Sequence, residues 1–205
     1  MTTRINAGFD VLAITDRLTR TEMGAAPAEL HVLSYLACII SLYDGKDPEH
    51  WSYGFTATPS GAPYAVMLDY ECSRLRAAGF MVDRQEVVVL SDRGFREVRE
   101  LRSFRSLSAR ERYLEVACAA ATLLPLPSVA DALSFEPQLQ RALKAPSARE
   151  LFKPVGCLLL REHFRALSEA IRNRSPNSSD LLVPTTVWLR YLSAAGRVSE
   201  LQGEH

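Results

Sequence analysis

The order of local signals predicts a mainly α fold: a winged helix-turn-helix with a short β-hairpin wing, followed by a helical C-terminal extension. Three observations carry this. Apolar residues recur at helical spacing through Leu30, Leu33, Leu36 and Ile40, and again through Leu68, Cys72 and Leu75. Two short strand-like runs, Phe80-Met81-Val82 and Val87-Val88-Val89-Leu90, are parted by the charged Asp83-Arg84-Gln85-Glu86. Directly after them, Ser91-Asp92-Arg93-Gly94 has the form of a helix start, with Ser91 as N-cap and Asp92 suited to the helix dipole.

From the N-terminus, the apolar residues between Phe9 and Leu18 fit a helix or a strand about equally and are taken as a helix. Pro27 stands where a first helical turn tolerates proline, and Leu36-Ala37-Cys38-Ile39-Ile40 is apolar all round, which places that helix centrally. Asp44-Gly45 ends it. The segment up to Pro59 carries Trp51, Tyr53 and Phe55, too aromatic for a flexible linker, and is expected to pack as an ordered loop. The next helix runs from Pro63 to Ala78, with Gly79 as its left-handed cap. Phe95, Val98 and Leu101 give the helix after the wing its buried side.

The second half is expected to be helices set off by caps and prolines. Ser108-Ala109-Arg110-Glu111 reads as a capping box opening a helix to about Leu124. Ser128 to Ser134, Pro137 to Lys144 and Ser147 to Phe152 read as short helical pieces, and Val155 to Arg172 as a long helix. Ser175 to Asp180 is the best linker candidate, Pro184 to about Leu192 a last helix, and Gln202 to His205 a fraying tail. The expected organisation is residues 1–106 as the winged-helix domain with an N-terminal helical arm, and 107–205 as the extension.

Composition narrows the function. With 205 residues, 47% of them hydrophobic, the chain can bury about 70% of its unfolded surface, enough for one sizeable core or two small ones. Lys+Arg and Asp+Glu are both 24, so the whole-chain field favours neither nucleic acid nor a membrane, and partners must be argued locally. The four cysteines lie 34 or more residues apart among apolar neighbours, which reads as core thiols rather than metal ligands. No stretch approaches the ~20 apolar residues of a membrane span, and a reducing cytoplasm is the expected location.

No catalytic constellation is evident. None of the four histidines sits in H-x-x-x-H, and no phosphate loop or nucleophile elbow occurs. Asp69 and Glu71, two apart on a helix, point about 200° from one another and cannot form a local acid/base pair. Asp44, Asp47, Glu49 and His50 form one acidic loop cluster, read as solvated rather than metal-binding. No cofactor is expected.

The parts of a winged helix that touch DNA are its second helix and its wing tip, and both are normally basic. Here that helix offers Asp69, Glu71, Arg74 and Arg76, and the tip Asp83, Arg84 and Glu86: neutral in one case and net acidic in the other. Positive charge instead follows the wing, where Arg93, Arg96, Arg99, Arg102 and Arg105 recur every third residue. Steps of 300° spread these five over some 240°, so they form no single stripe, although Arg96, Arg99 and Arg102 can share a face. The row is read as a solvated helix face first and a contact for DNA or an anionic partner second. Trp51, Tyr53, Phe55 and Trp188 are candidates for a protein interface.

The run Pro59-Ser60-Gly61-Ala62-Pro63, Leu68, Leu75, Gly79-Phe80, Leu90-Ser91 and Gly94 resembles the winged-helix pattern of small "middle component" subunits. These are encoded beside SMC-like ABC ATPases in three-component, Lamassu-type antiphage systems; more distantly the run resembles Panacea-like antitoxins. The resemblance covers residues 27 to 145, and Leu90-Ser91 stands where the pattern has Leu-Thr. It implies a non-enzymatic accessory subunit of a defence complex, docked on a larger ATPase or nuclease partner. The alternatives are a DNA-binding or DNA-sensing winged-helix protein that contacts duplex DNA, and an antitoxin.

Overall fold

The computed structural model describes residues 2–21, 24–145, 150–152, 154–172 and 180–203. Among these it is mainly helical, with two small antiparallel sheets. The order is α1 (Thr2–Arg20), α2 (Pro27–Tyr43), a 3-10 turn (Pro48–Trp51), β1 (Thr56–Ala57), β2 (Pro63–Tyr64), α3 (Val66–Ala77), β3 (Met81–Arg84) and β4 (Val87–Leu90). It continues with α4 (Asp92–Arg102), a second 3-10 turn (Arg105–Leu107), α5 (Ser108–Leu123), α6 (Leu126–Ser134), α7 (Pro137–Lys144), α8 (Pro154–Arg172) and α9 (Leu182–Gly203).

The helix that the sequence leaves ambiguous is the central one. Between Ala7 and Asp16 every residue of α1 is buried, and the helix is in contact with α2, α3, α4, α5 and β4. Three polar side chains, Asp10, Thr15 and Asp16, interrupt its apolar pattern, and each is satisfied inside. Asp10 and Asp16 bind arginines, and the Thr15 hydroxyl donates to the Val11 carbonyl at 2.7 Å. α2 packs beside it, buried from Leu30 to Leu42, and starts as Pro27 predicts: the Ala26 amide donates to Glu29 Oε2 at 2.8 Å.

The β-hairpin forms where the sequence places it, but β3 takes in the charged Asp83 and Arg84 expected in the turn and leaves out Phe80. β3 pairs with β4 from Met81 opposite Leu90 to Arg84 opposite Val87, and Gln85 turns the chain in the left-handed region (φ 59°). Gly79 (φ 74°) caps α3, and Ser91 Oγ accepts from the Gly94 amide at 3.1 Å. Gly94 is required at its position, because a Cβ there would lie 2.1 Å from the Phe80 carbonyl oxygen.

Several expectations are corrected. Pro63 and Tyr64 form β2 rather than the start of α3, because they pair with Ala57 and Thr56 of β1. Ser108 makes no capping box; its hydroxyl donates back to the Arg105 carbonyl at 2.8 Å. The end of the Ser147 to Phe152 piece is extended rather than helical: Glu150 bridges to Thr56, and the Leu151 amide donates to the Phe55 carbonyl. The final helix is longer than the sequence suggests. The linker candidate Ser175 to Asp180 lies outside the described residues except for Asp180, as do Glu204 and His205 of the tail.

The division at 106/107 does not separate two cores. A single apolar cluster runs from Ala7 to Leu192, and α5 lies against both α1 and α2. All four cysteines are buried in the fold as free thiols, and burial pushes Cys118 up to about 12. No single helix among the described residues is long and apolar enough to cross a membrane.

Candidate functional site

A cavity of about 640 Å³ opens where the first turns of α1, the Pro48–Trp51 turn and the junction of α4 with α5 meet. α1 contributes Ile5 and Asn6, the turn His50 and Trp51, and the junction Leu101 and Phe104. Ile5 and Phe104 are 47% and 56% exposed, an uncommon state for two large apolar side chains facing one cleft.

The floor is held by a buried ion pair. Asp10 is fully buried and Arg110, which lines the cavity, nearly so; Arg110 Nη2 donates to Asp10 Oδ2 at 2.6 Å and Nε donates to Oδ1. The Tyr53 hydroxyl donates to the same carboxylate, Arg110 Nη1 donates to the Trp51 carbonyl at 3.1 Å, and the guanidinium carbon stands 3.8 Å from the Trp51 ring centroid. Burial pushes the Asp10 carboxyl up while Arg110 and Tyr53 pull it down. Burial, then the Asp10 charge, raises the Tyr53 phenol and so keeps it a donor. Ser52, between the two buried aromatics, takes a left-handed φ of 70° and accepts from Asn6 Nδ2 at 3.0 Å. That conformation costs a non-glycine residue about 1–3 kcal/mol and is held here by both neighbours.

The cleft continues over α1 onto α3. Ile5 also lines a shallower hollow of about 440 Å³ with Arg4, Glu71 and Arg74. Glu71 is fully buried and accepts from Arg4 Nε at 3.0 Å and Arg74 Nε at 2.7 Å, so two half-exposed cations share one carboxylate and leave an excess positive charge at the rim. Gly8 makes room for this, since a Cβ there would lie 3.3 Å from Glu71 Oε2. Arg4 also stands 5.0 Å over the Tyr70 ring, and Tyr70 is 53% exposed. The site is thus an apolar cleft lined by Ile5 and Phe104, continued by a hollow with the cations Arg4 and Arg74 on its α1 and α3 side, where Arg4 stacks on exposed Tyr70.

The expected DNA-contact arginines divide into two groups. Arg74 binds Glu71, and Arg76 binds Asp83 and so ties α3 to the wing. Arg93 stacks on Phe80 at 4.2 Å and donates to the Ala78 carbonyl, and Arg102 bridges Asp16 at 2.6 Å and Glu111 at 2.8 Å. Arg96, Arg99 and Arg105 are exposed and carry no ion pair among the described residues. Of the five-residue row, Arg93 and Arg102 are therefore scaffold, and Arg96, Arg99 and Arg105 are exposed charge.

The expected protein interface is corrected. Trp51, Tyr53, Phe55 and Trp188 are 3, 9, 2 and 3% exposed. Trp51 lies under Arg110, Tyr53 on Asp10, Phe55 5.4 Å from Tyr35 and Trp188 5.5 Å from Phe164, so these aromatics build the core. Ile5, Tyr70 and Phe104 are among the large apolar residues that are exposed instead, and sequence reasoning missed them. The available signal was weak: Ile5 is a lone apolar residue in Thr2-Thr3-Arg4-Ile5-Asn6, and Phe104 stands between Ser103 and Arg105 at a helix break.

In the acidic loop cluster, Asp44 accepts from the Tyr113 hydroxyl at 2.6 Å and Asp47 pairs with Arg161, and no group of metal-ligating side chains occurs among the described residues. His31 is buried, where its Nδ1 accepts from the Ala65 amide at 3.2 Å, and burial lowers its pKa. No family model, curated protein or solved structure matches this chain.

Proposed function

We propose that this chain is a non-enzymatic accessory subunit that docks on a larger protein partner through the Ile5–Phe104 cleft. The observation that carries the reading is that exposed Ile5 and Phe104 line a cavity of about 640 Å³, with Ile5 also lining an adjoining hollow whose rim carries Arg4 and Arg74. Such a cleft takes an apolar anchor from a partner, and its rim favours acidic flanks. Within this reading α2, α3 and the β3–β4 hairpin form a winged helix-turn-helix used as a scaffold. The order of elements and the Arg76–Asp83 tie support that assignment. The resemblance set out above gives the partner class: an SMC-like ABC ATPase or nuclease encoded nearby.

Co-expression with the neighbouring genes and purification on one tagged subunit tests it. Ile5→Asp and Phe104→Asp, both at exposed positions, are expected to weaken partner recovery at least tenfold with unchanged thermal unfolding. A wild-type chain that stays alone under co-expression overturns the docking role. A complex that survives both substitutions overturns the cleft as its site.

A second reading, contact with duplex DNA, is favoured by the three exposed arginines Arg96, Arg99 and Arg105. Three phosphate contacts give a log affinity against log salt slope of about −3, and Arg96→Ala with Arg99→Ala should flatten it by about 2. Affinity that is insensitive to both salt and substitution removes this reading.

A further inference from the structure

α9 has two apolar stripes where a surface helix needs one. Its inner stripe, Leu181, Thr185, Trp188, Leu189, Leu192 and Gly196, is buried. On the opposite side Val183, Val187 and Tyr191 follow one another at four-residue steps and are 43, 43 and 57% exposed. Residues four apart lie on one helical face, so these make a continuous outward stripe rather than scattered apolar positions. The Ile5–Phe104 cleft involves none of these residues.

The charges on this side carry the inference. Asp180 stands just before the first turn, where its Oδ1 accepts from the Leu182 amide at 2.9 Å, and Arg190 lies about three turns further along; both are exposed. A helix presented antiparallel to its own copy pairs the start of one with the middle of the other. The register that sets Val183 against Val187 of the copy also sets Asp180 against Arg190. By two-fold symmetry each contact occurs twice. The antiparallel arrangement also opposes the two helix dipoles favourably.

We propose that the outward face of α9 is a self-association surface, occupied by α9 of a second copy of this chain in antiparallel register. The two Val183–Val187 contacts and two ion pairs bury less than the roughly 1,200 Å² of a stable interface, so the dimer is weak, with a Kd of about 10–100 μM. At the concentration of a dilute chain it is a monomer. When two copies are held on one larger assembly, their effective concentration suffices to close the contact.

Sedimentation velocity on the full chain over about 5–500 μM tests this, with charge reversal as the discriminating arm. Asp180→Arg leaves only cations at the two paired positions, and Arg190→Asp leaves only anions. Each variant alone is therefore expected to dimerise at least tenfold more weakly than wild type. Mixed one to one they are complementary at both ends and recover dimer, a result that an apolar surface meant for an unrelated protein would not give. Val187→Asp supplies a second arm at an exposed position should a charge variant unfold, and it too removes the dimer. A wild-type chain that is monomeric at 500 μM, single variants that dimerise as wild type does, or a mixture without recovery each overturn the proposal.

Discussion

Replacing Arg110 by methionine tests whether the Asp10–Arg110 pair holds the cleft floor. The substitution keeps much of the side-chain volume but removes two charge-assisted hydrogen bonds to Asp10, the bond to the Trp51 carbonyl and the stacking on the indole. Asp10 keeps the Tyr53 hydroxyl as a donor and remains fully buried. Breaking one side of such a pair costs about 3–5 kcal/mol, because it leaves a charge without compensation. The pH dependence identifies the cause. Without Arg110 the folded-state pKa of Asp10 rises further above its unfolded value, so the variant's deficit is smallest at low pH, where both states hold the proton. The deficit grows as pH rises through the folded value. Urea denaturation followed by circular dichroism at about pH 4 and pH 7 measures both quantities. Adding Asp10→Asn to Arg110→Met should recover part of the loss at pH 7. A deficit under about 1 kcal/mol, or one that does not change with pH, refutes the reasoning.

Two further predictions concern single buried groups. Glu136 is fully buried; its Oε2 accepts from the Tyr35 hydroxyl and the Leu139 amide, both at 2.9 Å, its Oε1 has no partner among the described residues, and burial raises its pKa. A raised carboxyl contributes stability that is complete below its unfolded value near 4.5 and is lost as pH rises through the folded value. The melting temperature of wild type should therefore fall relative to Glu136→Gln as pH rises above 4.5; parallel curves would refute this. Gly94→Ala drives a Cβ into the Phe80 carbonyl and should cost about 2 kcal/mol or more in denaturant titration, whereas Gly54→Ala, with nothing within 4 Å, should cost little.

What was legible in the sequence is what local chemistry decides. Pro137 at a first turn, Gly79 after a helix and Ser91 before one act within four residues, and the elements they bound appear as expected. The central role of α1 was not legible, because its buried polar residues take their partners from far along the chain: Asp10 from Arg110, Asp16 from Arg102. The same cause hid the site. Spacing alone cannot separate Arg102, which bridges Asp16 and Glu111, from Arg99, three residues earlier and exposed. Trp51 and Tyr53 sit in a turn-rich segment that reads as surface until Asp10 and Arg110 are placed beside them.

The paired arginines also bear on how the cleft would bind. Phe104 is exposed, but the chain on both sides of it is fixed. Arg102 joins α4 to Asp16 of α1 and Glu111 of α5, and Arg17 of α1 reaches the same Glu111 at 2.5 Å. Leu107, three residues on, is buried in the core. Opposite, Ile5 belongs to a helix locked by Arg4 and Glu71 to α3 and by Asp10 to α5. The two apolar edges are thus set at a fixed separation before any partner arrives. Ordering them at binding costs little of the entropy that a mobile loop would lose, which favours even a short apolar anchor. Arg102→Ala separates this effect from direct contact, since Arg102 is three-quarters covered and stands beside the cleft rather than across it. It should weaken partner recovery by loosening Phe104, whereas a purely local contact at Ile5 would leave recovery unchanged.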